Sequence, residues 1–360
     1  MYHCCGYICK ENDVSEILYL GRRAAVIENS DLRVTVLQEG GHIAEMFDNA
    51  AGVNPLWTPP WPTIEPSSHG LATAGIYGDG SDAKLLAGIM GHSLCLDLFG
   101  PPSEAEAQAG LTAHGEGSVA PYDLTVGGGT LIAHARFPIA GLEFERRLSL
   151  KGRSLAIRET VVNLSDVDRA IGWTQHVTLG PPFLERGATQ FRASATRSKV
   201  FESTFGANDY LEAGKEFDWP MAPRADGGTA DLRVLNGLDR SSAYTAHLMD
   251  RSPTAFFVAF APAFELVFGY VWRSADFPWM GIWEENHSRL HAPWNGQTLA
   301  RGMEFGVSPM PETRQAMIDR GHLFGAPCFR RIPAGGSIDV EYHAIVRRAR
   351  TIPESLDWPT

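Results

Sequence analysis

The sequence predicts an all-β fold, a large antiparallel β-sandwich with few short helices. Three observations favour this fold class. Short stretches alternate apolar and polar residues with a period of two, as half-buried antiparallel strands do. The 37 glycines and 23 prolines are scattered along the chain, which is typical of many strands joined by turns. Few segments keep a helical period, so two packed sheets are the simplest way to bury the apolar faces.

The alternating stretches locate individual strands. They are residues 32–47, 142–150, 154–163 and 255–260. In the second stretch the alternation breaks at Arg146-Arg147, which is consistent with a β-bulge. Residues 104–110 and 312–320 are the predicted short helices. No internal repeat or linker-like charge run divides the chain, so we expect a single domain over residues 1–360.

Composition narrows the classes of partner. The chain has 360 residues, of which 44% are hydrophobic and 20% are charged, as in globular proteins. Its formal net charge is −11, and an acidic surface repels phosphate backbones and anionic lipid. We therefore expect no nucleic-acid partner and no membrane partner. No GxGxxG motif follows a strand and no GxxxxGK[ST] motif occurs, so nucleotide binding lacks support.

The cysteines and the N-terminal residues indicate in which cellular compartment the protein is expected. The five cysteines are Cys4, Cys5, Cys9, Cys95 and Cys328. An odd number in a long chain argues against a disulfide framework. The N-terminal cysteines, with His3, lack the usual CxxC spacing of a zinc site, so reduced thiols and no metal are expected. The first residues, MYHCCGYICKENDV, lack the pattern of a signal peptide, which favours a cytoplasmic protein.

Three stretches contain candidate acid–base residues. They are residues 111–122 with His114, residues 172–183 with His176, and residues 300–311 with Glu304. Each has a structural alternative: a hydrogen-bonded histidine in a β protein, or a glutamate on the outer face of an edge strand. A carboxylate and an imidazole in a partly dry cleft are nevertheless a plausible acid–base pair, because burial raises the carboxyl pKa and lowers the imidazole pKa, which brings the two values closer together.

Tryptophans favour a carbohydrate ligand. Six of them are Trp57, Trp61, Trp173, Trp279, Trp283 and Trp294, and several lie in Pro- or Gly-rich segments. Indole faces stack on the apolar faces of sugars, whereas core packing is the alternative role. The loop over residues 54–66 is expected either to wall a pocket or to meet a second subunit in a homodimer.

The motifs resemble the galactose mutarotase-like superfamily, the aldose 1-epimerases and their relatives. The strongest match is SLAIRETVVNLSDVDRAIGWTQHVTLG, residues 154–180, in which N-x-S/T-D precedes a strand that bears His176. LTAHGEGSVAPY resembles the earlier "HG" motif of the family, and ARGMEFGVSP resembles its C-terminal strand with the catalytic glutamate. Residues 211–220 are similar to the segment between the last two motifs. Order and spacing fit over about residues 30–348.

The resemblance implies a fold and an activity. It implies a sandwich with a neutral-sugar site on its concave face, a small-molecule carbohydrate partner, and anomer interconversion without a cofactor or a metal. Glu304 would be the general base, His176 the general acid, and His114 a hydrogen-bonding residue at the oxygen that changes charge. Further candidates for binding hydroxyl groups or for stacking are Arg301, Trp283, Glu284, Asp97 and Trp173.

The sequence also departs from the family pattern. The early Asn-Arg pair of the family is not evident in residues 88–102. The aspartate that binds sugar hydroxyls is missing, and residues 242–250 offer Thr245 or His247 in its place. These departures indicate a divergent branch and leave the sugar open.

Three alternatives remain open at this point. The first is a carbohydrate-binding protein of the same fold without turnover. The second is a hexose-phosphate epimerase, whose phosphate would need an arginine cluster such as Arg192, Arg197 and Arg301. The third is a metal enzyme using histidines from His287, His291 and His114, although Pro and Gly around the first two favour a loop.

Overall fold

Strands make up most of the regular structure in this computed structural model, which describes residues 17–359. In chain order they are β1 Ile17–Tyr19, β2 Arg22–Glu28, β3 Leu32–Leu37, β4 Ile43–Asp48, β5 His92–Asp97, β6 Asp123–Gly127, β7 Thr130–Phe137, β8 Leu142–Lys151, β9 Ser154–Asn163, β10 Arg169–Leu179, β11 Gln190–Ala193, β12 Ala195–Val200, β13 Glu216–Asp218, β14 Met221–Pro223, β15 Thr229–Asp231, β16 Ser241–Met249, β17 Thr254–Ala261, β18 Leu266–Arg273, β19 Trp279–Asn286, β20 Leu299–Gly306, β21 His322–Leu323, β22 Ala326–Pro327, β23 Arg330–Ile332 and β24 Ser337–Arg348. The helices are α1 Ala74–Tyr77, α2 Ala83–Gly88, α3 Glu104–Gln108 and α4 Arg314–Arg320.

Two large antiparallel sheets form a sandwich. The first runs in the order β1-β2-β3-β4-β5-β10-β20-β19-β16-β12-β13, with β23 also paired to β10. The second runs β11-β17-β18-β24-β9-β8-β7-β6. One apolar cluster draws side chains from both sheets and fills the space between them. The predicted all-β sandwich is therefore confirmed, and α3 and α4 lie where the two short helices are predicted.

The predicted bulge at Arg146-Arg147 is wrong. The register of β8 against β7 and β9 runs without a break through both residues. Arg146 thus points between the sheets on the same face as Phe144 and Leu148, and it is 1% exposed. The apolar–polar alternation breaks in the sequence only because a charged residue, Arg146, occupies an inward position.

A partner in the core explains how that charge is tolerated. Arg146 Nε donates to Glu159 Oε1 over 2.7 Å. Trp173 Nε1, Gln175 Nε2 and the Tyr342 hydroxyl also donate to the Glu159 carboxylate. Buried charges require such pairing and hydrogen bonding, and this network meets that requirement.

The outer face of the first sheet carries a second apolar cluster. Along β10, Trp173, Gln175 and Val177 point into the sandwich, so the alternation turns His176 and Thr178 to the outer face. Trp57 and Trp61, helix α2, and residues of β16, β19 and the segment after β19 cover this face. Between these covering elements lies the cavity described below.

Some compositional expectations can be compared with the structure. Cys95 and Cys328 are buried free thiols, whereas His3, Cys4, Cys5 and Cys9 lie outside the described residues. No cluster of three or more metal-ligating side chains occurs within residues 17–359. Over the same range, every helix is too short or too polar to cross a membrane.

Candidate active site

A cavity of about 210 Å³ lies on the outer face of the first sheet. Helix α2 supplies an apolar wall, and aromatic rings from several elements supply the rest. Among its lining residues are Leu85, Leu86, Ile89, Phe99, Phe205, Tyr244, Trp283 and Trp294. The polar lining includes His114, His176, Glu304 and Arg289, with Asp82 and His291 at the exposed rim. The predicted histidines and glutamate therefore meet in one cavity.

His176 and Glu304 face each other across two neighbouring strands. Strand β20 pairs with β10 so that Gln175 lies opposite Phe305 and Thr178 opposite Gly302, which sets His176 opposite Glu304. Their Nε2 and Oε1 atoms are 3.0 Å apart, although they are not aligned for a hydrogen bond. Both side chains are almost fully buried.

The other ring nitrogen of His176 is held by a hydroxyl group. Thr178 Oγ1 lies 3.1 Å from His176 Nδ1, two residues along the same face of β10. A hydroxyl group both donates and accepts, so Thr178 can fix the ring in either tautomer. This contact aims Nε2 at the carboxylate and the cavity.

His114 enters the cavity from the loop before β6. Its φ angle is 66°, in the left-handed region that few non-glycine residues adopt. Its carbonyl accepts from Leu96 N on β5, and its N–H donates to Gly100 O. The ring centroid lies 4.9 Å from that of His176. Strain of this kind clusters at functional sites.

His114 is neutral at neutral pH. Burial, and secondarily the neighbouring His176, lower the pKa of His114 well below the ordinary histidine value. The ring therefore offers one donor and one acceptor and carries no charge. Nδ1 is buried and has no hydrogen-bond partner among the described residues, so the side chain has unused hydrogen-bonding capacity.

Two aromatic residues complete the base of the cavity. The Trp283 ring on β19 lies 5.8 Å from the His176 ring. Tyr244 on β16 is opposite Trp283, and its hydroxyl donates to Pro309 O over 2.9 Å. Burial, and then the charge of Glu304, raise the pKa of Tyr244 well above the usual phenol value, so the phenol stays neutral. Tyr244 was not a candidate from the sequence, although it lies in the stretch 242–250.

Arg289 is a further polar lining residue that the sequence did not single out. It follows β19, and its guanidinium lies 4.8 Å from the Trp294 ring centroid. Glu285 pairs with its Nη1 over 3.1 Å and also accepts from the N–H groups of Ser288 and Arg289. Its position in an irregular segment leaves no periodic signal in the sequence.

Trp173, a predicted substrate-binding residue, lies away from the cavity. Its indole is fully buried between the sheets, donates to Glu159 and packs on Phe277. Because Trp173 and His176 are three apart on one strand, they point to opposite faces of the sheet. Trp173 is therefore a core residue.

Arg301 and Glu284 are also on the inner side of the first sheet. They lie opposite each other on β20 and β19, with Nη1 and Oε1 3.4 Å apart. Arg301 stacks over Phe191 at 4.1 Å, and Glu284 accepts from the Tyr210 hydroxyl. Side chains alternate between the two faces along each strand, so Arg301 and Glu304 point to opposite faces of the sheet, and so do Glu284 and Trp283. This pair belongs to the core.

Asp97 has an electrostatic role elsewhere. It ends β5 and is fully buried. Arg169 and Arg314 pair with its Oδ2, at 2.5 Å and 3.0 Å. The carboxylate is thereby occupied in joining β10 to α4, and it does not line the cavity.

The sequence also suggested residues for sugar hydroxyls, for a phosphate and for a metal. Most of them lie outside the cavity, and two histidines are the exceptions. His247 bonds Ser198 and Thr245 inside the sheet, each over 2.8 Å. Arg192 and Arg197 pair with Glu354 and Glu216. His287 lies in an irregular segment, as predicted, and its Nδ1 is 2.9 Å from Gly296 O. Of the three histidines considered for a metal, His114 and His291 line the cavity and His287 does not.

The 54–66 loop supports the cavity wall. Trp57 and Trp61 pack on Trp294, with ring centroids 6.5 Å and 4.9 Å away. Trp61 Nε1 also donates to Leu86 O at the end of α2. Of the two roles expected for this loop, the structure favours contact with the pocket wall.

Comparisons with known proteins bear on the fold. No family model and no curated protein sequence matches the chain. A provisionally assigned aldose 1-epimerase from Klebsiella pneumoniae superposes with a TM-score of 0.64 at 14% identity, covering 92% of this chain and 80% of that one. A galactose mutarotase-like protein from Clostridium acetobutylicum superposes with a TM-score of 0.61 at 14% identity, covering 93% of this chain and 98% of that one. A galactose mutarotase related enzyme from Lactobacillus acidophilus superposes with a TM-score of 0.58 at 14% identity, covering 91% of this chain and 98% of that one. The chain therefore has the galactose mutarotase-like fold that its motifs predict.

Proposed function

We propose that the chain is an isomerase of the aldose 1-epimerase type, which interconverts the anomers of a sugar by opening its ring. The observation that carries this proposal is the meeting of the Glu304 carboxylate and the His176 imidazole, 3.0 Å apart in an aromatic cavity. The cavity volume of about 210 Å³ is below the usual range for drug-sized ligands and suits one small ring.

The reaction assigns one proton transfer to each of these two groups. Glu304 takes the proton of the anomeric hydroxyl as a new C=O bond forms at C1. The bond between C1 and the ring oxygen breaks, and His176 donates a proton to that oxygen. The open-chain aldehyde rotates about C1–C2 and closes on its other face, with both proton transfers reversed. Each such group contributes roughly 10²–10⁴-fold.

His114 takes the hydrogen-bonding role. Because its pKa is lowered by burial, the ring holds no extra proton to give at neutral pH. A neutral imidazole can still bind the oxygen that gains or loses charge. Trp283 offers an indole face beside His176, on which the apolar face of a sugar ring can stack.

Anomer interconversion measured by NMR magnetisation exchange tests this proposal. On a panel of neutral sugars, we expect the wild type to accelerate exchange for at least one of them. His176→Asn and Glu304→Gln should each lower that rate at least about 100-fold while sugar binding persists.

A matched control is available on the second sheet. His134 and Glu143 form a comparable imidazole–carboxylate pair at 2.7 Å, outside the cavity. His134→Asn should leave the exchange rate unchanged. Line broadening by a sugar without accelerated exchange would contradict the enzymatic role and favour a carbohydrate-binding protein.

A further inference from the structure

The cavity adjoins a second and larger one. The second cavity has a volume of about 520 Å³ and shares Phe205, Arg289 and His291 with the first. Its other walls come from residues 206–208, from Arg240 and from Ser288 to Leu290. The two cavities therefore adjoin at Arg289, which lines both of them.

The walls of the second cavity are positively charged. Arg289 and Arg240 are the charged residues that line it, and no described aspartate or glutamate does so. The first cavity differs, because Glu304 and Asp82 line it together with Arg289. A local excess of positive charge is notable on a chain with a net charge of −11.

Arg289 is only partly neutralised by its own surroundings. Its single ion pair among the described residues is with Glu285. Three aromatic rings, Phe205, Trp283 and Trp294, lie within 5.8 Å of its guanidinium carbon and restrict access of water. Burial lowers the pKa of Arg289 and outweighs the opposite effect of the carboxylates of Glu285, Asp209 and Asp82. Within the described part of the chain only Nη1 of its guanidinium is ion-paired, so the remaining N–H groups can donate to an oxyanion in the second cavity.

We propose that the second cavity is a subsite for an anionic substituent of the sugar, a carboxylate or a phosphate group, bound by Arg289 and Arg240. The inference rests on the proposed function for the location of the sugar ring. It adds acidic sugars to the candidate substrates and makes them the preferred ones over their neutral parents. Arg289 and Arg240 are then specificity-determining residues, and neither was among the arginines considered for a phosphate from the sequence.

The test compares matched ligands by two separate readouts. Glucose, galactose and mannose are each compared with the corresponding uronate and 6-phosphate. Calorimetry gives Kd, and magnetisation exchange gives the turnover rate. We expect at least one anionic sugar to bind ten-fold or more tightly than its neutral parent, since a hydrogen bond to a charged group is worth about 10–100-fold. Comparing the Kd of the uronate with that of the 6-phosphate shows whether the subsite prefers a carboxylate or a phosphate group.

Three variants locate the effect. Arg240→Gln removes an exposed charge of the second cavity without disturbing the core, and Arg289→Gln removes the shared one. Each should lower the ratio of anionic to neutral affinity about ten-fold or more. Arg147→Gln, which removes an exposed charge from the second sheet, should leave the ratio unchanged.

The outcomes separate this inference from the proposed function. Exchange of neutral sugars with no preference for their anionic forms would support the enzyme and overturn the subsite. Preference for an anionic form that Arg240→Gln weakens, without exchange for any sugar, would support the subsite and overturn the enzyme. A preference that survives both Arg289→Gln and Arg240→Gln would also overturn the subsite.

Discussion

At the residue scale, the position of the Glu304 carboxylate depends on a neighbour without a side chain. Gly302 is two residues away on the same face of β20. A Cβ atom added there would lie 2.3 Å from Glu304 Oε1, which is closer than real contacts allow. The carboxylate thus folds back over the backbone of Gly302, and this places it beside His176.

Gly302→Ala should therefore lower activity more than stability. The new methyl group meets the end of a side chain and can displace it, so the fold should persist. A shift of about 1 Å in a reacting group costs up to about 100-fold in rate. We expect the exchange rate to fall about 10–100-fold, with the thermal midpoint measured in parallel. Gly127→Ala is the matched control, because a Cβ there meets nothing within 4 Å. A wild-type rate for Gly302→Ala would remove Glu304 from its proposed role.

Individual residues also show how far sequence reasoning reaches. His114, His176 and Glu304 were located because short motifs in a fixed order report the fold, which then brings them together. Trp173 was predicted to bind substrate, but it lies three residues from His176 on the same strand. The period of two therefore requires it to point to the opposite face of the sheet. Arg289 escaped notice for another reason, since it lies in an irregular segment whose course only tertiary packing determines.

At the scale of elements, β10 joins the buried network to the candidate site. Its inward residues Trp173 and Gln175 donate to Glu159, while its outward residue His176 lines the cavity. Strand pairing and the period of two were predictable from the pattern around residues 142–163. The inward Arg146 was not, because a charge at a core position is indistinguishable in sequence from a break in the alternation.

Removing one partner of the Arg146–Glu159 pair should destabilise the protein strongly. Arg146→Met leaves the Glu159 carboxylate buried and without its guanidinium, at a cost of about 3–5 kcal/mol. Urea unfolding at pH 7 measures this free energy. The double variant Arg146→Met with Glu159→Gln should be less unstable than the sum of the single variants, because the uncompensated charge is gone. A loss below about 1 kcal/mol in Arg146→Met would contradict the role of the pair.

At the scale of the whole molecule, buried histidines link stability to pH. Burial lowers the pKa of His42 and of His247 to about 3, and Arg22 and Arg301 respectively add to the effect. Burial lowers the pKa of His92 as well. These rings are neutral in the folded protein, whereas they bind protons near pH 6.5 when unfolded. Protonation therefore favours the unfolded chain.

The free energy of unfolding should fall as pH decreases from 7 towards 3. Each histidine with a folded pKa near 3 contributes stability that is present above its unfolded pKa of about 6.5 and is lost below it. Between pH 7 and pH 5.5 the loss is about 1 kcal/mol for each such histidine. Urea unfolding of His42→Gln should show a shallower pH dependence than the wild type, and exposed His322→Gln an unchanged one. Equal slopes in all three would contradict the linkage.

The two glycines beneath the cavity have a consequence for divergence. Gly302 adjoins Glu304, and a Cβ atom at Gly281 would lie 2.3 Å from the Tyr244 hydroxyl oxygen. Every substitution of a glycine adds atoms, so mutation at either position displaces a lining side chain and removes no atom from the cavity wall. Substitution of these two glycines therefore cannot enlarge the cavity by removing wall atoms. A lineage that comes to accept bulkier ligands would have to shorten other lining side chains, such as those of α2 or of the segment after β19.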